Sequence, residues 1–291
     1  VSIAVVRFDR QINVPIGALD SKTHFQGAGW AKSPVDGREW FFQMQATPTG
    51  VGDVEDLYVH RYSLAGDALT YRDTMVGVGF GHCQTVNVRI SAANNAQLWL
   101  GLKSYDAAHA TVGERPHKVR YRAGRMERAD RYVVPIYVPG NWAAPIDSPD
   151  WTITLRRPSG DTEVYEWYSE DELAQATPAK PAKPRSTLRV PKVDTYQSAC
   201  ALGTYEAPEG VYRLNGAATD TPQWLTQFRV DGSPTVQLET TNIVKGSGGG
   251  TLEEPEAVLT VRNEQWVGKQ TSPYTKDRIV AYLPVAKVSA L

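Results

Sequence analysis

The chain has 291 residues, with 31 Lys and Arg set against 32 Asp and Glu, for a net charge of −1. That balance excludes the dense basic face that electrostatic binding of nucleic acid needs, and no run of about 18 apolar residues is present to cross a membrane. With only Cys83 and Cys200 and no Cys or His pair at ligand spacing, a zinc site is not expected, nor is any other metal or cofactor.

In chain order, AVVRFDRQINVPI (4–16) reads as a strand without a local partner. Its early Arg7, Asp9 and Arg10 argue against a signal peptide. Then comes a set of runs bounded by turns: HFQGAGW (24–30), REWFFQMQ (38–45), LYVHRY (57–62) and LTYRDTMV (69–76). A second set follows with HCQTVNV (82–88), AQLWLGLKS (96–104), HKVRY (117–121) and RADRYVVPI (128–136). The third is shorter, with SPDWTIT (148–154), EVYEW (163–167) and STLRVPKV (186–193). YQSACAL (196–202), LTQFRV (225–230) and TVQLETTNI (235–243) make a fourth; EPEAVLT (254–260), EQWVGKQ (264–270) and RIVAY (278–282) make a fifth. Period-2 alternation broken by Gly, Pro, Asp and Asn is the signature of strands joined by turns.

The first run of each set aligns on one polar column: Gln26, Gln84, Asp150, Gln197 and Glu256. A recurrence at roughly 50–65 residues with several strands per unit predicts a β-propeller. The expected fold is all-β, a five-bladed β-propeller closed by the N-terminal strand. It would form one domain over 1–291, with blades near 24–80, 81–139, 146–193, 195–245 and 252–287 plus 4–16. A β-sandwich with accidental repeats is the alternative. Cys83 and Cys200 fall in inner strands of blades that are not neighbours, so two free thiols are expected, as in a protein folded in a reducing cytosol.

Three segments read as loops: ATPTGVGDVED (46–56), the Pro- and Lys-rich QATPAKPAKPR (175–185) between the third and fourth strands of blade three, and KGSGGGT (245–251). The basic stretch RPHKVRYRAGRMER (115–128) reads as a solvated blade edge. Most of Trp30, Trp40, Trp142, Trp151, Trp224 and Trp266 should be wedged between blades. Trp142, in the Pro/Gly loop PGNWAAPIDSPD (139–150), is the exception that opens onto the mouth. His24 and His82 sit at equivalent rim positions.

The channel ring of Gln26, Gln84, Asp150, Gln197 and Glu256 is expected to converge at one mouth as a polar collar. Facing carboxylates there resemble the acid and base of a glycosidase. The five-bladed enzymes of glycoside hydrolase family 43 use acids in such a funnel, and that resemblance implies a third acid. Here three of the five positions are glutamine, which cannot exchange a proton. No catalytic residue is assigned. Trp142, Tyr274 and Asp53, in long loops, are the candidate glycan contacts.

The runs FQGAGW, GHCQTVNV, YQSACA and EEPEAV at blade starts, with DLYVHRYSLAG as a third strand, resemble the five-bladed propellers of phage tail receptor-binding and minor tail proteins. The same pattern occurs in helveticin J-like bacteriocins. The resemblance implies display in several copies on a virion tail assembled in a bacterial host cytoplasm. Its implied partners are other tail proteins and a host cell-wall glycan, with neither nucleic acid nor membrane insertion. A secreted antibacterial protein, a glycan-cleaving enzyme and a purely structural tail element are the competing readings.

Overall fold

A computed structural model describes residues 2–5, 12–14, 24–91, 95–140, 142–149, 151–216, 223–240, 251–272 and 280–285. In chain order its strands are β1 (Ser2–Val5), β2 (Ile12–Val14), β3 (His24–Lys32), β4 (Glu39–Pro48), β5 (Glu55–Ala65), β6 (Ala68–Gly77), β7 (Val86–Ile90) and β8 (Ala96–Tyr105). They continue with β9 (Thr111–Arg120), β10 (Gly124–Met126), β11 (Val133–Pro135), β12 (Ala144–Ile146), β13 (Thr152–Ser159) and β14 (Thr162–Ser169). The short helix α1 (Glu170–Ala174) follows, then β15 (Ser186–Pro191), β16 (Tyr196–Gly203), β17 (Pro208–Asn215) and β18 (Trp224–Arg229). The last are β19 (Pro234–Glu239), β20 (Thr251–Val261), β21 (Glu264–Ser272) and β22 (Val280–Pro284).

The architecture is all-β, arranged as a propeller of up-and-down sheets. The sheet orders are β10-β6-β5-β4-β3, β11-β9-β8-β7, β12-β13-β14-β15, β1-β19-β18-β17-β16 and β2-β22-β21-β20. Four are full blades opening on an inner strand of at least five residues (β3, β7, β16 or β20), where the sequence predicts five equivalent ones. The third sheet opens on β12, only three residues long. SPDWTIT is therefore not an inner strand, because Thr152–Ser159 is the second strand of its sheet.

The second strands are buried on both faces. Phe41, Phe42 and Met44 are successive core residues of β4, which is why the run is continuously apolar instead of alternating. Among the described residues, five apolar clusters each join two neighbouring sheets, and together they link the sheets in a circuit. Phe42, Met44 and Val59 meet Val86, Leu98 and Leu100. Phe25, Phe41 and Tyr62 meet Leu259, Trp266 and Tyr282. Ile146, Tyr165 and Trp167 meet Ala199, Val211 and Phe228. Trp99 and Ile136 meet Ile153, Leu155 and Leu173. Cys200, Leu214 and Leu225 meet Val258 and Val267. The core is thus distributed between sheets, and a two-sheet sandwich does not describe it.

The N-terminal segment splits. Ile12–Val14 pairs antiparallel with Val280–Tyr282 at the outer edge of the last sheet, as the sequence leads one to expect. Ser2–Val5 instead adds parallel to β19 in the preceding sheet, so residues 4 and 5 do not belong to the final one. β10 makes a similar parallel addition to β6, tying the second repeat to the first. Each addition covers an outer strand edge. Both cysteines are buried and free, and burial pushes each thiol above its ordinary range. Residues 175–185 do connect the third and fourth strands of their sheet, and Leu173 just before them is packed in the core beneath.

Inner strands approach one another closely. A Cβ on Gly27 would lie 2.5 Å from the Gln84 carbonyl oxygen. Gly27→Ala is expected to cost about 1–3 kcal/mol through this overlap, read as a lowered midpoint of thermal unfolding. A full-stability Gly27→Ala protein would mean the first two inner strands are further apart.

Candidate functional site

Gln26, Gln197 and Glu256 occupy the same structural position. In each case the register between inner and second strand shifts at that residue: between Phe25 and Gly27, between Tyr196 and Ser198, and between Pro255 and Ala257. These are β-bulges, which re-aim one side chain out of the regular alternation. All three side chains are buried. Gln84 lies just before β7, with its backbone against Gly27. Glu256 Oε1 accepts a hydrogen bond from Gln270 Nε2 at 3.3 Å, and Gln270 Oε1 accepts one from the Phe25 N–H at 3.3 Å. That chain crosses the seam between the last sheet and the first.

Asp150 and Tyr274 lie outside the described residues. On the third inner strand the carboxylate that matters is Asp147. Its main-chain oxygen accepts from Ala201 N at 2.7 Å, and Oδ2 accepts from Thr260 N at 2.8 Å. It therefore joins three sheets at the hub. Asp147 pairs with Cys200, three residues beyond Gln197, while Thr260 is four beyond Glu256. Counting back along β12 puts Ala144, not an acid, level with the amide positions. Asp147 sits one layer deeper, roughly 10–13 Å along the strand. Burial pushes its carboxyl up to about 7, against the Thr260 N–H, the Arg89 charge and the Ser148 N–H, which favour ionisation.

The second-to-third strand turns lie at the end of the hub where inner strands begin, because neighbouring strands are antiparallel. Asp53 belongs to the first of these turns. Its N–H bonds His109 O at 2.9 Å, and its Oδ2 accepts from Thr111 N at 2.8 Å. Asp53 thus clamps two mouth turns together. Trp142 is 41% exposed. The Lys103 ammonium lies 5.7 Å from its ring centre, and Lys103 is held by Glu114 at 3.0 Å. The next residue, Ala143, donates its N–H to Glu114 O at 2.8 Å. Nearby, His82 Nδ1 lies 3.1 Å from Glu55 Oε2. Trp99, Trp167 and Trp266 are fully buried, but Trp151 is 75% exposed and its backbone is left-handed at φ 58°; it is not wedged between sheets.

A buried ion cluster that sequence reading missed lies between the third and fourth sheets. Glu163 is fully buried, with Arg156 at 2.7 Å, Arg213 at 3.6 Å and the Tyr165 hydroxyl donating at 2.8 Å. The Arg156 guanidinium stacks 3.4 Å over Tyr196. Among the described residues, no three His, Cys, Asp or Glu side chains are grouped as metal ligands, and no helix is long and apolar enough to cross a membrane.

Fold and hub together define a propeller with a polar, tightly bonded centre. No protein-family model and no curated protein sequence matches the chain. Among solved structures, it is similar to the tail fibre of Staphylococcus aureus phage P68, with a TM-score of 0.64 at 11% identity. That likeness covers 97% of this chain and 53% of the fibre chain, so the chain spans about half the fibre's length. It is also similar to a GH43_1 enzyme from Xanthomonas citri in complex with xylotriose, with a TM-score of 0.56 and 11% identity over 96% of this chain and 91% of that one. At such identity the likenesses establish the propeller fold. None of them supports the helveticin J-like resemblance.

Proposed function

We propose that this chain is a non-catalytic component of a phage tail whose propeller mouth binds a host cell-surface glycan. The observation that carries the reading is Trp142, a half-exposed indole beside the Lys103–Glu114 pair at the mouth. A sugar ring stacks on such a face while flanking polar groups bond its hydroxyls. The tail-fibre likeness supports a virion location. In this reading the sheet opening on β12 completes a ring of five blades in one domain. Other tail proteins are its neighbours, and several copies raise avidity by roughly 10²–10⁴.

The non-catalytic reading rests on the acids. Glycoside hydrolysis needs two carboxyl groups about 5–9.5 Å apart across an open site. Glu55 and Glu114 are held by His82 and Lys103, and Asp147 and Glu256 are buried on different layers. Asp53 supports the mouth turns through its N–H and Oδ2.

The test is binding of labelled full-length chain to intact bacterial host cells. Trp142→Ala should weaken it at least about tenfold, in line with loss of an aromatic anchor. Unchanged binding overturns the site. Release of reducing sugar from purified wall polymer by the parent chain overturns the non-catalytic reading.

A further inference from the structure

The end of the third strand of the second sheet and the segment leading to the fourth carry Arg120, Arg122, Arg125, Arg128 and Arg131 against Glu127 and Asp130. Two of these arginines are tied to backbone carbonyls or to a carboxylate. Arg128 donates to the carbonyl oxygens of Gly79 and Lys103, and Arg125 pairs with Glu127 at 2.9 Å. The other three converge on one ring. The guanidinium carbons of Arg122, Arg131 and Arg120 lie 4.6, 4.9 and 5.6 Å from the centre of Tyr132. Arg131 donates to the Tyr132 hydroxyl at 2.7 Å, and Arg120 donates to Asn95 Oδ1 at 2.7 Å. Among the described residues, none of the three has a carboxylate partner.

A solvated strand edge would let like charges splay apart. Here they are gathered, which is unfavourable without a counter-charge. The Tyr132 phenol feels this: the Arg131 hydrogen bond first, then the charges of Arg131, Arg122 and Arg120, hold it below its ordinary range. Beside it is a cavity of about 200 Å³ lined by Arg122, Ala123, Arg125, Met126, Asp130 and Tyr132. Asp130 is the one acid on its wall, and its Oδ2 accepts the Glu127 N–H at 2.8 Å.

We propose that Arg120, Arg122 and Arg131 around Tyr132, with the adjoining cavity, form a binding site for phosphate groups. Guanidinium forks suit oxyanions because each offers two parallel N–H donors. Arg122 lines the cavity itself, while Arg120 and Arg131 stand around Tyr132, which forms part of its wall; several forks about one ring suit a tetrahedral anion better than a planar carboxylate. The shared chemistry fits free phosphate or the phosphodiesters of a cell-surface polymer. The site is distinct from the Trp142 mouth and does not depend on the function proposed above.

The experiment titrates the purified full chain with inorganic phosphate and, separately, with poly(glycerol phosphate), following arginine Nε–Hε signals by NMR. Saturable shifts of the Arg120, Arg122 and Arg131 signals are expected. In the triple variant Arg120→Gln/Arg122→Gln/Arg131→Gln, affinity for whichever probe saturates should fall at least about tenfold. For the polymer, the slope of log K against log salt should drop by about 2–3. Arg38→Gln, an exposed arginine elsewhere, should change neither. Tighter polymer binding identifies the polymer as source; equal binding of both identifies free phosphate. Absence of saturable shifts, or unchanged affinity in the triple variant, overturns the site. Equal affinity for duplex DNA marks a non-specific cationic patch and overturns it too.

Discussion

Glu163→Ala is expected to destabilise the protein by about 3–5 kcal/mol, measured by urea unfolding at neutral pH. The magnitude follows from what the carboxylate leaves behind. Arg156 and Arg213 converge on it across the seam between the third and fourth sheets, and among the described residues Nε of each has no hydrogen-bond partner. Removing one member of a buried ion cluster strands the opposite charge in a poorly solvated place. Glu163→Gln keeps an acceptor for the Tyr165 hydroxyl but removes the charge, so its loss should fall between parent and alanine. The exposed pair Arg125–Glu127 provides the scale: Glu127→Ala should stay within about 0.5 kcal/mol, because surface pairs contribute little. If Glu163→Ala behaved like Glu127→Ala, the seam would be wet and the two sheets more loosely docked than the geometry implies.

That cluster marks where the sequence stops being legible. Arg156, Glu163 and Arg213 stand on three strands of two sheets, and charged residues in alternating strands read as solvent-facing until their partners are known. The polar column at Gln26, Gln197 and Glu256 was readable because a repeated bulge fixes one side chain at one place in each blade, and the chain records it as a repeated residue type. The third repeat misled for a physical reason. β12 spans only Ala144–Ile146, too short to show alternation. The run TIT (152–154) that follows belongs to a second strand, but burial of Thr152, Ile153 and Thr154 gives it the look of an inner one. Aligning on it chose Asp150 and passed over Asp147, in the same motif. The apolar API before Asp147 was the available signal. The parallel additions of β1 and β10 left no trace in the sequence, since three- or four-residue pairings to distant strands need no pattern of their own. Asp53 was recognised as a loop residue, but its role as a clamp on the His109 turn depends on a contact between blades.

Asp147 gives the second large effect, and its sign can be worked out. An aspartate in the unfolded chain releases its proton near pH 3.8, whereas the buried Asp147 holds it to about 7. Between those values the folded state binds the extra proton, so stability declines as pH rises through that window and levels off above about pH 7. At about 1.4 kcal/mol for each pH unit of separation, the full effect is on the order of 4 kcal/mol. Asp147→Asn keeps an oxygen for the Thr260 N–H and carries no charge. It should match the parent at pH 4 and exceed it by that amount at pH 8, read from thermal unfolding across the range. Parallel profiles for the two proteins would show that the carboxyl ionises normally in the fold. A carboxyl poised near 7 is also what a general acid requires, so position has to decide its meaning. Asp147 lies a layer below the amide positions, with one oxygen on a backbone N–H of the last sheet and the Cys200 backbone opposite. Gln26, Gln197 and Glu256 above it are themselves buried. In our proposal a proton held there serves no glycosidic oxygen at the mouth. It keeps a charge out of the hub where three sheets meet, which fits our proposal of a binding propeller and ties the stability of its centre to pH.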